Sequence, residues 1–171
     1  MKRNFGSQIK WAMYAAAFLL VFFLKSCVLN RFPVYHAIPE LVPLAVIAVG
    51  CLEGSLSGSI FGLVVGFFCN AVYYRSGGIM IPMCTLLGVL SGFTTGRQIG
   101  RTPLGMALCS VVGMFLLELS RVGYYHLFGG SSLSTLWSIA LAEGVYSLVF
   151  ALPIYGLFWL VYSRYRTDME L

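Results

Sequence analysis

From Trp11 to Tyr162 the chain is a succession of apolar runs, most of them close to the length of a bilayer crossing. A helix needs roughly 20 mainly apolar residues to span hydrocarbon. Setting the runs against their breakers gives six spans, at about 11–29, 38–52, 55–73, 78–96, 104–125 and 134–162. The breaks carry turn chemistry: Arg31-Phe32-Pro33, Glu53-Gly54-Ser55, Arg75-Ser76-Gly77-Gly78, the stretch 97–103, and Gly129-Gly130-Ser131-Ser132. Composition points the same way. With 59% hydrophobic residues, 10% charged and a mean hydropathy of +0.87, the chain has too little polar surface to cover a water-soluble globule of 171 residues. The expectation is an all-α membrane protein: a six-transmembrane-helix bundle forming one integral domain over residues 1–171.

Two spans depart from the simple pattern. The second is short and is separated from the third by the Glu53-Gly54 turn alone, which predicts a close helical hairpin that does not cross the bilayer independently. The sixth is long and contains Pro153, which removes a helix hydrogen bond and predicts either a kink or an interfacial beginning around Ser134 to Ile139. Met1-Lys2-Arg3 ahead of the Trp11–Leu24 run mimics a signal peptide, but no small-residue cleavage site precedes Arg31, so an uncleaved first helix is expected. With an even number of crossings, Lys2, Arg3, Lys10, Arg97, Arg101, Arg164 and Arg166 fall on one side, against Lys25, Arg31 and Arg75 on the other. The basic bias places both termini in the cytoplasm. The basic excess itself fits anchoring beside anionic lipid and implies no nucleic-acid partner.

Glycine recurs at a four-residue interval in Gly54, Gly58, Gly62 and Gly66, continued by Asn70, and again in Gly88, Gly92, Gly96 and Gly100. Such stripes let a second backbone approach closely, either within the bundle or from a partner. Ala12 and Ala16 form a weaker small-residue pair on the first span. Ionisable residues inside the spans are the second signal, because a charge at mid-membrane costs at least about 2.5–3.5 kcal/mol. Glu118 and Arg121 share a helix face, and Glu143 on the last span is placed to approach Arg121 from across the bundle. The group serves either as a structural ion cluster or in partner binding or gating. Glu53, at the turn, is read as hydrated at the membrane edge.

Catalytic patterns are not legible. Neither His36 nor His126 belongs to a spaced ligand set, and no nucleophile elbow, phosphate loop or acidic metal cluster occurs. The expectation is therefore a protein with no catalytic residues, no metal and no cofactor. Cys27, Cys51, Cys69, Cys84 and Cys109 are scattered singly without C-x-x-C pairs, a spacing that argues against zinc or redox chemistry.

The run from Ile38-Pro39-Glu40-Leu41-Val42-Pro43 through Leu52-Glu53-Gly54, the glycine ladder to Asn70, Gly77-Gly78 and the second ladder ending at Gly96-Arg97 resembles the rod shape-determining MreD family. Length, number of spans and a glutamate inside the last span extend the resemblance over nearly the whole chain. Glu53 and Gly54 match the family's acidic-glycine turn, whereas Asn70 stands where many members have aspartate. The resemblance implies a non-catalytic scaffold of the cell-wall elongation complex, in the bacterial inner membrane and among its lipids, acting in cell-shape maintenance and lateral peptidoglycan synthesis. Its implied partners are the bitopic protein MreC, the actin-like MreB, the SEDS glycan polymerase and the penicillin-binding transpeptidase. MreD-like proteins in turn resemble the substrate-binding subunits of energy-coupling-factor transporters, so a vitamin-transporter subunit is the alternative expectation.

Overall fold

The computed structural model describes residues 2–31, 39–72, 78–95, 102–129 and 133–166, and every regular element among them is helical. Helix α1 covers Lys2–Phe23 and continues through a wide π-type turn at Leu24–Val28 and a tight 3-10 turn at Leu29–Arg31. Then follow α2 (Leu41–Glu53), α3 (Ser55–Val72), α4 (Met80–Thr95), α5 (Pro103–Gly129), α6 (Leu133–Val149) and α7 (Ala151–Arg166). Prolines mark helix beginnings, where a missing N–H removes nothing: Pro43, Pro82, Pro103 and Pro153 all lie in first turns. Thr102 caps α5, its Oγ1 accepting the Gly105 N–H at 3.1 Å.

Helix α2 is the centre of the molecule. All twelve residues from Leu41 to Leu52 are buried, and α1, α3, α4, α5 and α7 pack around it. A helix that is apolar on every side belongs inside a bundle. Its 13 residues span only about 20 Å, short of the roughly 30 Å hydrocarbon layer. Because neighbours shield it from lipid, α2 need not match that thickness.

Helices α2 and α3 form the close hairpin, a Cβ on Gly58 lying 2.7 Å from Gly50 Cα, but the closest helix pair is α3 with α4. Their contact is the meeting of the two glycine series. A Cβ on Gly58 would lie 2.6 Å from the Gly88 carbonyl oxygen, and one on Gly66 would lie 2.8 Å from Ile81 Cα. Gly62 abuts the Cys84 carbonyl, and Gly92 abuts the backbone of Gly54 and Ser55. Backbone touches backbone along this seam, so both stripes are used inside the fold. Gly54 plays a different part from the rest of its series. A Cβ there would meet nothing within 4 Å; what calls for glycine is its φ of +98°, which turns the chain from α2 directly into α3. Asn70 lies half-buried one turn beyond Gly66. Gly96 and Gly100 fall outside the described residues, as do Arg75, Arg97, Arg101 and His36.

The long final run is two helices. α6 and α7 are bent by 44° at Phe150, because Pro153 cannot donate to the Val149 carbonyl and its ring crowds that carbonyl. Among the described residues, three helices are long and apolar enough to cross a membrane, in the segments Gln8–Cys27, Ser55–Val72 and Pro103–Leu127. The bent α6–α7 pair makes a fourth if its two helices count as one broken span, while α2 and α4 are shorter apolar helices. Aromatic rings close α1 against its neighbours: Phe18 meets Phe61 and Phe68 edge-on, and Tyr14 stacks on Phe158 at 5.9 Å.

Candidate functional site

Three features concentrate the polar and the open parts of the bundle: an ion pair at one end of α2, an ion cluster at the other, and an apolar groove along its side.

Lys10 and Lys25 lie 15 positions apart on the α1 segment, and Glu40 and Glu53 lie 13 apart at the two ends of α2. At about 1.5 Å per residue these separations are roughly 22 and 20 Å. Two antiparallel segments so matched can pair at both ends, and these do. Lys10 Nζ is 2.7 Å from Glu53 Oε2, and Lys25 Nζ is 2.6 Å from Glu40 Oε2. The inward reach of Lys25 coincides with the wide turn at Leu24–Val28. Tyr14 donates its phenolic hydrogen to Glu53 Oε1 at 2.6 Å, and the Lys10 ammonium sits 5.7 Å from the centre of the Tyr162 ring. Glu53 is therefore not the hydrated edge residue its position in the turn suggests: its side chain keeps 11% of its exposure and is held by two partners.

Removing one charge from such a pair leaves the other buried and alone, which costs about 3–5 kcal/mol. Glu53→Gln is expected to lower unfolding stability in detergent by that order, because Lys10 keeps only 6% of its exposure. Adding Lys10→Met should recover most of the loss. Equal stabilities for Glu53→Gln and the parent protein would show that the pair contributes nothing.

At the other end Arg121 gathers carboxylates from three elements. Its Nη1 lies 2.8 Å from Glu143 Oε2 on α6, 3.3 Å from Glu118 Oε1 on its own helix and 4.0 Å from Glu40 Oε1. Lys25 reaches Glu40 from α1, so two cations and three carboxylates form one connected cluster. Ser147 ties it to the backbone: its hydroxyl donates to the Glu143 carbonyl at 2.6 Å and accepts the Glu40 N–H at 2.8 Å. The structure brings together all three of the charged residues singled out in the later spans. It adds Lys10, Tyr14, Lys25, Glu40 and Ser147, which sequence reasoning passed over. The signal available for Lys10, Lys25 and Glu40 was the matched spacing of two lysines and two glutamates in adjacent apolar runs; Tyr14 and Ser147 gave none.

The groove lies between α4 and α5, which diverge above Ile47 of α2. It encloses about 440 Å³, and Leu90, Thr94, Leu108, Cys109 and Val112 form its walls. The wall hydroxyls are turned onto their own helix: Ser91 Oγ donates to the Leu87 carbonyl at 2.7 Å and Thr94 Oγ1 to the Ser91 carbonyl at 2.6 Å. The surface offered is thus almost wholly apolar. It selects by shape, and a ligand rich in hydrogen-bonding groups would lose its hydration there without replacement. Among the described residues no group of three His, Cys, Asp or Glu side chains is placed to hold a metal ion; where the carboxylates converge, a guanidinium occupies the centre.

Fold and site together define an all-helical protein with several membrane-length helices around a buried central helix. Compared with protein-family models, with curated proteins and with solved structures, the chain matches none.

Proposed function

We propose that this protein is a non-catalytic scaffold of the bacterial cell membrane, of the MreD type, and that its α4–α5 groove receives the single membrane helix of an MreC-like partner. The observation that carries the reading is the groove: a preformed, apolar, laterally open cleft on a bundle locked elsewhere by glycine seams and ion pairs. A helix gains from such a surface through close packing, with no hydrophobic drive needed in lipid. Little ordering is required when it docks, which favours affinity. Through that partner the scaffold joins MreB, the SEDS polymerase and the penicillin-binding transpeptidase in lateral wall synthesis.

The reading takes α2 and α4 as crossings despite their length, giving six, with both termini cytoplasmic. The packing of Lys10 against Tyr162, near the two ends of the chain, supports an even number of crossings. The test is affinity purification of the tagged protein from native membranes, with and without Val112→Trp. Val112 is 58% exposed in the groove wall, so the substitution fills the cleft and leaves the core intact. Recovery of the MreC-like protein is expected to fall about tenfold, the equivalent of roughly 1.4 kcal/mol, with thermal stability unchanged. Undiminished recovery would rule out the groove as the docking face.

One observation favours a second reading, the energy-coupling-factor subunit. Ala12 and Ala16 are both exposed on α1, leaving a small-residue strip facing lipid, which suits contact with a coupling protein. Recovery of coupling ATPases or a stoichiometric vitamin from the same purification would establish it.

A further inference from the structure

Two thiols meet at the floor of the groove. Cys51 stands on the last turn of α2 and Cys109 on the second turn of α5. The register between these helices is set at Gly113, where a Cβ would lie 2.6 Å from Ile47 Cδ1, so α5 passes close over Ile47 of α2 at this point. One turn further along α2 and one turn back along α5, residue 51 comes opposite residue 109. Thr94 of α4 confirms the juxtaposition. Its Oγ1 lies 3.5 Å from Cys109 Sγ and 3.8 Å from Cys51 Sγ, so both sulfurs converge on one hydroxyl. The remaining cysteines are not so placed. Gly62 faces Cys84 across the α3–α4 seam, which leaves Cys69 out of register with it by seven positions, roughly 10 Å along the helix, and Cys27 is exposed on the wide turn.

Among the described residues, access to this pair is along the apolar groove. Cys109 lines the apolar groove and is partly exposed there, while Cys51 lies beneath it and is fully buried. A water-soluble oxidant has no polar path along such walls, whereas a lipid-soluble one enters from the bilayer.

We propose that Cys51 and Cys109 form a dithiol site oxidised by a two-electron acceptor of the quinone class. Two S–H bonds break and one sulfur–sulfur bond forms; the two electrons and two protons reduce the quinone to its quinol. The disulfide ties α2 to α5 and fixes the spacing at the floor of the groove. The chemistry is independent of what the groove binds, so it stands or falls apart from the scaffold reading.

The test uses the full chain in liposomes with duroquinone, whose ring carbons are all substituted and cannot add thiols. After exposure and denaturation, two of the five thiols should no longer react with a maleimide. A reductant-sensitive peptide joining Cys51 to Cys109 should appear. Cys109→Ser abolishes both changes and Cys27→Ser leaves both in place. Glutathione disulfide added to the aqueous phase should act far more slowly. Five reactive thiols after duroquinone, or the same thiol loss in Cys109→Ser, would overturn the site. Equal rates with glutathione disulfide would overturn the route through the bilayer.

Discussion

Gly88→Ala is expected to destabilise the bundle by about 1–3 kcal/mol, and Gly88→Leu to prevent folding altogether. A Cβ at Gly88 would press against the carbonyl of Gly58 and the nitrogen of Ser59, which are backbone atoms with no rotamer to yield. Relief requires α3 and α4 to separate, and separation undoes the neighbouring contacts of Gly62 with Cys84 and of Gly92 with Ser55. Gly156→Ala is the matched control, because nothing lies within 4 Å of a Cβ there. In a helix interior it should be neutral or stabilising, by up to about 1 kcal/mol. Thermal unfolding of the three variants in the same detergent distinguishes them. If Gly88→Ala and Gly156→Ala behave alike, the seam is not close-packed.

Arg121→Gln should be the most damaging single change among the charged residues. It leaves Glu40, Glu118 and Glu143 facing one another with Lys25 as the remaining cation of the cluster. A buried charge stripped of its partner costs about 3–5 kcal/mol, and here three carboxylates lose the same one. Glu143→Gln should cost less than half as much, since Arg121 keeps Glu118 and Glu40. Combining the two substitutions should recover part of the Arg121→Gln loss. Exchanging Arg121 and Glu143 for one another is not expected to restore the parent stability, because a glutamate at 121 would sit against Glu118 and Glu40. Unfolding curves for the four variants give the order, and an Arg121→Gln protein as stable as the parent would show that the cluster is not held by this arginine.

How far the molecule was legible differs from element to element. The helices α3 and α5 announced themselves through unbroken apolar runs of membrane length. Pro153 announced the α6–α7 break, since the loss of one N–H is a local property. Glu118 and Arg121 could be paired on paper because three positions on a helix fix their proximity. Lys10 and Glu53 could not, because 43 residues separate them and nothing in either neighbourhood names the other. The cysteines are scattered singly in the sequence, and only packing brings Cys51 and Cys109 to one threonine.

Local composition therefore settled that the chain is helical, that it is too apolar for water, and that its glycines would form a close seam, since each follows from the chemistry of a short window. Which helix lies at the centre, which lysine meets which glutamate, whether the glycine stripes face inward, and where the bundle leaves a groove were decided by tertiary packing alone. The physical reason is that interactions between helices depend on the relative rotation and height of elements far apart in the chain. Helix periodicity states which residues share a face, and only assembly determines what that face will meet.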